Sequence, residues 1–298
     1  MTHRNGADGL RATWLDVFAE SPLGGNFHLV VHGADALDDQ VMTVFSRRTR
    51  LAETSFLQAA TVASATYRHR IFVPGKEVPF AGHPSLGAAA AHGWATGQSS
   101  GVFVQQTLSG LQRLEFQLEA RRGEVAITQN PAVFGEILEP ATAMAIAGLP
   151  AGSHHPELLP QWVSTGMPTL VIPLASPTHL SDVVFDWSAF GAQLAAWRDV
   201  PAFNCYLCAE VAAGHWAARC FGEDPATGED PATGSAAGPL GAYLKRHTGV
   251  TVVGVDQGVD MGANSRLRVS TAGDIVVGGT VWLVGTGWLD LPGARRPG

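Results

Sequence analysis

Glu229–His247 reads EDPATGSAAGPLGAYLKRH, and the fold turns on how this stretch is understood. Two carboxylates and a proline lead into a Thr-Gly turn, then Ser235, then a run rich in Ala, Gly and Leu. Small apolar residues at that density predict a buried helix with the turn at its N-terminus. The first backbone N–H groups of a helix have no partner within it and point outward, where they suit an anion. Asp230 and Ser235 sit on the same turn, so an acid/base carboxyl and a hydroxyl are placed beside that anion cradle.

The stretch has an echo. Pro79–Ala91 reads PFAGHPSLGAAAA: Pro-x-x-Gly, a polar residue, then an Ala/Gly/Leu helix. Aligning Pro79 with Pro231 sets Gly82 on Gly234 and His83 on Ser235. Two copies of one turn and helix, about 150 residues apart, suggest a duplicated fold with a cleft between its halves. The plainer alternative is two unrelated helices with ordinary caps, since short glycine-containing matches are common.

The bulk numbers set the frame. At 298 residues the chain suits one large domain or two ordinary ones. A hydrophobic share of 46% with 15% charged is globular and supplies a substantial core. The net charge of −7, without a long basic cluster, argues against a nucleic-acid surface. No apolar run is long enough for a membrane helix, and the polar opening MTHRNGADGLRA resembles no signal peptide, so a cytoplasmic chain is expected. Cys205 and Cys208 form a C-x-x-C inside the apolar, strand-like run AFNCYLCAEV. On a strand, residues i and i+3 face opposite sides, so buried thiols are expected there and not a redox pair or a zinc half-site.

Taken in order, Met1–Ala12 reads as a frayed tail, followed by strands at Thr13–Phe18 and Phe27–Val31 around the turn Gly24-Gly25-Asn26. That turn lacks the G-x-G-x-x-G spacing and precedes a strand, which rejects a dinucleotide fingerprint. Asp38 or Asp39 caps a helix through about Arg50. Strands follow at AETSFLQAA and Tyr67–Val73, a turn at PGKEV, and the first helix motif through about Trp94. Val102–Thr107, Leu114–Leu118 and Val125–Gln129 read as antiparallel strands, and Asn130–Pro140 as loop and domain boundary. A short helix at Thr142–Ala147 ends at Gly148, and strands Trp162–Thr165 and Leu170–Leu174 flank the Gly166-Met167-Pro168 turn. Asp186 caps a helix whose Trp187, Phe190, Leu194 and Trp197 form a core-facing stripe. Strands at Ala202–Glu210 and Trp216–Phe221 lead into the organising stretch. Val250–Gln257, Arg266–Ser270, Ile275–Val284 and a short end strand close the chain.

Together these residues resemble the phenazine-biosynthesis isomerase (PhzF-like) family, whose fold is that of diaminopimelate epimerase. The resemblance is carried by Asp16-Val17-Phe18, Gly25-Asn26, Ala52-Glu53-Thr54-Ser55-Phe56, Arg70-Ile71-Phe72 and Pro79–Gly87. It continues through Ser164-Thr165-Gly166, Arg219-x-Phe221, Glu229–Ala236, Gln257-Gly258 and Met261-Gly262. It implies an α/β (α+β) chain of two pseudo-symmetric domains, 13–130 and 131–290. Each would be a barrel-like, mostly antiparallel sheet around a central helix, with the site between them.

The resemblance further implies a proton shift within a small carboxylate-bearing metabolite, without metal or organic cofactor, in a homodimer. The catalytic set carried over is Glu53, His83, Asp230 and Ser235, with Glu53 as the acid/base. Asn26, Gly82, Ser85, Gly234 and Gly262 fall on the substrate-binding motifs. The residues make chemical sense unaided: a carboxyl raised toward neutral strength by burial can take a proton from one carbon and return it to another. The plainer reading keeps Glu53 on a solvent-facing strand and leaves His83, Asp230 and Ser235 as capping residues.

Several departures qualify the resemblance. EDPATG occurs twice in tandem, at Glu223–Gly228 and Glu229–Gly234, and only the second copy precedes Ser235, which selects Asp230 over Asp224. Ala263-Asn264-Ser265 stands where the family has Arg-Pro-Ser, and Phe27-His28 where it has Pro-Leu. The related racemases use two cysteines; here those positions hold His83 and Ser235, which disfavours a two-thiol mechanism. Two other functions stay open: hydrolysis of a C–C or C–X bond beside a carbonyl with the same base, and a ligand binder without turnover.

Overall fold

The computed structural model describes residues 9–194, 203–222, 225 and 228–294. The first half runs β1 (Leu10–Val17), β2 (Asn26–Val31), α1 (Asp39–Thr49), β3 (Thr54–Gln58), β4 (Tyr67–Val73), β5 (Lys76–Val78), α2 (Gly82–Thr96), β6 (Ser100–Thr107), β7 (Gly110–Leu118) and β8 (Arg122–Thr128). Then come β9 (Val133–Ile137), α3 (Pro140–Ala147), β10 (Gln161–Ser164), β11 (Pro168–Pro173), α4 (Thr178–Ser181), α5 (Trp187–Leu194), β12 (Asn204–Ala212), β13 (His215–Gly222) and β14 (Glu229–Asp230). The chain closes with α6 (Gly234–Thr248), β15 (Val252–Gln257), β16 (Ser265–Ser270) and β17 (Val276–Leu289).

The duplication is written in the strand pairing. β1–β2 is antiparallel, β2–β3 parallel, β3–β4 and β4–β5 antiparallel, and β4–β6 parallel. The same sequence of senses recurs in β10–β11, β11–β12, β12–β13, β13–β14 and β13–β15. In the first half β6, β7 and β8 continue the sheet, β8 pairs with β17, and β17 returns to β1, which closes an eight-stranded barrel. The last strand of the chain thus seals the first barrel. Reciprocally, β9, which follows β8, pairs with β10 of the second half.

Each barrel is filled by one helix. α2 carries no polar stripe because it is buried on every side, with Leu86, Ala88, Ala89 and Ala90 fully enclosed. Its glycines are spacers against the wall: a Cβ on Gly87 would lie 2.9 Å from His28 Cδ2, and one on Gly93 would lie 2.5 Å from Leu118 Cδ1. α6 is built alike, with Gly238 against Gln129 and Gly241 against Val269. The two helices meet head to head. A Cβ on Gly82 would come within 2.7 Å of Ser235 N and 2.8 Å of Gly234 Cα, so only glycine fits the junction.

Several expectations are met and several corrected. Asp38 caps α1, its carboxylate accepting from Val41 N at 2.7 Å. Gly148 ends α3 in the left-handed conformation, and Asp186 caps α5 by accepting from Ala189 N. Phe190 is fully buried with Trp187 and Leu194 packed around it, while Trp197 lies outside the described residues. Cys205 joins the outer core and Cys208 the barrel interior, on opposite faces, and both are free thiols. Among the described residues no helix is long and apolar enough to cross a membrane.

Leu10–Ala12, expected in a tail, belong to β1 because β17 is there to pair with them; residues 1–8 lie outside the described set. Asn130–Pro140, expected as loop, contains β9, whose Val133, Phe134 and Ile137 are strand formers around Gly135 and which pairs along the available β10 edge. The two end strands are one, β17, continuous through Gly285 and Gly287. Most of the first EDPATG copy lies outside the described residues.

Candidate active site

Each half positions its helix start with the same clamp. On β4, Arg70 grips Glu77 of β5 with two hydrogen bonds, Nε to Oε1 at 2.8 Å and Nη2 to Oε2 at 2.5 Å. On β13, Arg219 grips Glu229 of β14 in the same bidentate fashion, at 2.9 and 2.6 Å. Each guanidinium also lies over the aromatic ring two residues on, Phe72 or Phe221. Six residues after each glutamate comes the second residue of the central helix, His83 in α2 and Ser235 in α6. A planar two-point pair fixes direction as well as distance, so the clamp aims both turns into the space between the barrels.

That space is a cavity of about 240 Å³. Glu53, His83, Asp230 and Ser235 all line it, as do Gly82 and Gly234. Val78, Phe80, Met167 and Phe203 make an apolar wall, and Lys76 stands on the exposed side. Glu53 precedes β3 and turns its Oε2 to within 3.5 Å of His83 Nε2. Both atoms are buried, and neither makes a hydrogen bond with another protein group.

Asp230 is held from three sides. Asn26 Nδ2 donates to its Oδ1 at 2.7 Å, Thr233 Oγ1 donates to its Oδ2 at 2.5 Å, and Gln257 Nε2 donates to its backbone carbonyl at 2.7 Å. Gln257 is itself fixed: its Oε1 accepts from Tyr206 OH and Thr233 N. The turn therefore sits on a closed net of buried side chains, in which each donor is matched by an acceptor.

The same Asn26 nitrogen lies 3.1 Å from His83 Nδ1. An amide nitrogen has only hydrogens to offer, so Nδ1 must be the acceptor and the neutral ring carries its proton on Nε2, facing Glu53. Burial depresses the His83 pKa to about 3, which keeps the ring neutral. Burial, with the Asp230 charge adding to it, holds Glu53 well above the ordinary carboxylate range. Burial raises Asp230 to about 6, against the donations from Thr233 and Asn26 that pull it down. The site thus offers two carboxyls whose pKa values lie above the ordinary range, beside neutral donors.

Three of the expected binding residues stand elsewhere. Asn26 is behind the cavity, orienting Asp230 and His83. Ser85 is fully buried, donates to Ala81 O at 2.7 Å and accepts from Gln105, so it does not line the cavity. Gly262 ends a short helical turn with φ +77° and is likewise not a lining residue. Both sit on the expected motifs, yet the Ser85 side chain points along its own helix, and the Met261-Gly262 turn is displaced from the cavity floor. Thr233, Gln257 and Asn204 were missed. The internal repeat could have pointed to Asn204, which lies in the same place in the second half as Glu53 in the first. Beneath the site a further buried chain runs from His28 through Ser55, His69 and Gln105 to Ser85; Ser55 and Ser85 lie in motifs, whereas His69 and Gln105 lie in none.

Comparison with known proteins gives these features a lineage. The family model described as "Phenazine biosynthesis-like protein" matches residues 15–284. A trans-2,3-dihydro-3-hydroxyanthranilate isomerase of Pseudomonas aeruginosa is 32% identical over 270 residues, covering 88% of this chain and 91% of that one. The solved structure of a "Predicted Epimerase" from Pseudomonas aeruginosa matches with a TM-score of 0.81 at 31% identity, over 94% of this chain and 99% of that one. A probable proline racemase of Agrobacterium radiobacter shares the fold, with a TM-score of 0.60 at 13% identity over 94% and 93% of the two chains. Paired barrels, two helix starts meeting at one cavity, and a match along nearly the whole chain lead to one conclusion: this chain is an isomerase belonging to the phenazine biosynthesis-like protein family.

Proposed function

We infer that the chain moves a proton, and with it a double bond, within a small unsaturated metabolite bearing a carboxylate. Glu53 is the acid/base. The observation that carries this reading is the buried pair Glu53 Oε2 and His83 Nε2, 3.5 Å apart, on the cavity wall and without other hydrogen bonds. A carboxylate whose pKa is held above the usual range is a stronger base: it takes a proton from one carbon of the conjugated system, leaving negative charge delocalised on the substrate, and the carboxyl so formed returns the proton to another carbon and is restored. No net proton is consumed, and no external acceptor of electrons is required. The proton on His83 Nε2, the Ser235 hydroxyl and the leading N–H groups of α2 and α6 supply donors for the negative charge that builds on the substrate between the two transfers.

The apolar wall of Val78, Phe80, Met167 and Phe203 suits a flat ring or a short conjugated chain. A dihydroaromatic amino acid of the kind named for the relatives fits that description, and trans-2,3-dihydro-3-hydroxyanthranilate is the first compound to test. We expect the reaction to need neither metal nor organic cofactor and the chain to work as a cytoplasmic homodimer; light scattering at the mass of a single chain would remove the dimer.

The test is proton NMR in heavy water with the wild type and Glu53→Gln, on a panel of dihydroaromatic and dehydroproline-type carboxylates including that compound. Deuterium entering one carbon of an unchanged skeleton, and lost in the variant, is the expected result. A product of altered mass would transfer the assignment to hydrolysis. Exchange that persists in Glu53→Gln would remove Glu53 from its role.

A further inference from the structure

We propose that Asn204 is a positioning residue that sets the polarity of Ser235, turning the hydroxyl into a hydrogen-bond donor toward the cavity. Asn204 opens β12, is 8% exposed and lines the cavity. Its Nδ2 lies 3.2 Å from Ser235 Oγ and 3.2 Å from Met167 Sδ. The sulfur decides which way the amide faces. A thioether has lone pairs and no hydrogen, so the oxygen end of the amide would meet it lone pair to lone pair. The nitrogen end spends one hydrogen on the sulfur and one on Ser235 Oγ. Ser235 is then an acceptor on its protein side, and its own hydrogen is left for whatever occupies the cavity.

The first half supplies an independent instance of the same device. There the Asn26 amide nitrogen, which also donates to Asp230 Oδ1 and reaches Ala232 O at 3.2 Å, faces His83 Nδ1 at 3.1 Å and leaves the Nε2 proton facing the cavity. In both halves the second residue of the central helix is backed by an asparagine nitrogen that consumes its acceptor. The strand register shows where Asn204 stands in the duplication. Arg70 is paired with Phe56 and Arg219 with Leu207. Stepping three residues back from these partners reaches Glu53 in one half and Asn204 in the other. Each contacts the second helix residue of its own half: Glu53 to His83 at 3.5 Å, Asn204 to Ser235 at 3.2 Å. The same position holds a titratable group on one side and a fixed donor on the other, so the duplicated site is one proton carrier facing one oriented hydroxyl.

The functional consequence rests on the proton-shift reading, whereas the orientation does not, and two measurements separate them. Neutron diffraction from a deuterated crystal of the unliganded wild type reads the orientation directly. Deuterium on Asn204 Nδ2 directed at Ser235 Oγ, with the Ser235 deuterium in the cavity, is expected. The Ser235 deuterium on Asn204 Oδ1 would overturn the proposal. The second measurement uses trans-2,3-dihydro-3-hydroxyanthranilate with Asn204→Asp, Ser235→Ala and the double variant.

Asn204→Asp keeps the shape and reverses the hydrogen bond, since a carboxylate can only accept. The value of kcat/KM is expected to fall about tenfold or more, with the loss carried mainly by kcat. The defect should shrink at acid pH, where the new carboxyl is protonated and donates again. Ser235→Ala should match it, and the double variant should lose nothing further. An Asn204→Asp enzyme with wild-type kcat/KM across pH, or losses that simply add in the double variant, would sink the proposal. Should the wild type leave this compound unchanged, the choice of substrate falls, and the neutron map alone decides Asn204.

Discussion

The two turns at the centre of the molecule, Glu77–His83 and Glu229–Ser235, share a frame and differ in what the frame carries. Both have the Arg–Glu clamp, the glycine at the helix junction and a polar residue in second place. The second turn adds Asp230 and Thr233 where the first has Val78 and Ala81. The clamp of the second is also tied more deeply: Arg219 donates to the carbonyls of Leu180 and Val183, whereas Arg70 reaches the exposed Asp39. Duplication of the backbone preserved the aim of both turns, and the chemistry diverged inside it. One side carries a histidine backed by Glu53; the other carries a carboxyl, a hydroxyl and an amide.

The comparison can be broken most severely by erasing the chemical difference. His83→Ser makes the two turns alike at their second helix residue and removes the donor beside Glu53. We expect turnover to fall by roughly 10²-fold or more with the fold retained, measured by rate and by circular dichroism on the same sample. The next largest effect is on the junction. Gly82→Ala drives a Cβ into backbone atoms at 2.7–2.9 Å that cannot swing aside, whereas Gly234→Ala meets the edge of Phe18 at 3.1 Å. Urea unfolding should show a loss of about 3 kcal/mol for the first and about 1 kcal/mol for the second. Equal losses would mean the two starts are equally tolerant and the head-to-head contact is unimportant.

Smaller is the asymmetry of the clamps. Arg219→Met should destabilise by about 1 kcal/mol more than Arg70→Met, because it strands Glu229 at the cavity and takes a donor from the carbonyls of Leu180 and Val183, of which Leu180 keeps a backbone partner in Val183 N. The Glu229 charge already pushes the Asp230 pKa up. Unpaired, it should also move any Asp230-dependent limb of the pH–rate profile to higher pH, while Arg70→Met leaves that limb in place.

The smallest effect is on the pH dependence of stability, where the two kinds of group oppose each other. Glu53 and Asp230 titrate higher in the folded state than in the unfolded one. Their contribution is full below the unfolded carboxyl pKa and is lost as pH rises through the folded values, about 6 for Asp230. His83 titrates lower in the folded state, at about 3, so it is destabilising in acid and that penalty disappears as pH climbs toward the unfolded value. Replacing Glu53 by Gln removes a falling contribution. The rise in unfolding free energy from pH 4 to 6.5 should become steeper by on the order of 1 kcal/mol, read by urea titration at each pH.

The duplication was legible from two short motifs because both encode the same physical demand. A helix buried on all sides must be made of small apolar residues, and a helix start that abuts another must be glycine. Most strands announced themselves through alternation and turn residues, as Tyr67–Val73 did residue for residue. What failed was local wherever the cause was remote. Val133–Ile137 carries the strand formers Val133, Phe134 and Ile137, but Gly135 and the flanking Pro131 and Pro140 read as loop, and it becomes β9 because β10 offers an edge. Ser85 looked like a second polar group beside His83. Two residues along the helix swing it round by about 200°, and its hydroxyl donates back to Ala81 O, away from the cavity. Asn204 has no motif, and Thr233 and Gln257 lie within Glu229–Ala236 and Gln257-Gly258 without a task of their own being legible there, since holding another side chain at one angle leaves no local signal.

By itself the sequence determined the class of fold, the pair of buried helices and the residue types gathered at their starts, because patterning, small-residue content and turn chemistry act over a few neighbouring positions. Tertiary structure alone decided that β17 seals the first barrel, that Glu53 and Asp230 are buried together so that both pKa values rise, and that asparagine nitrogens stand behind His83 and Ser235. Those outcomes depend on contacts between residues more than two hundred positions apart in the chain, where burial and hydrogen-bond direction are set by the packing of one half against the other.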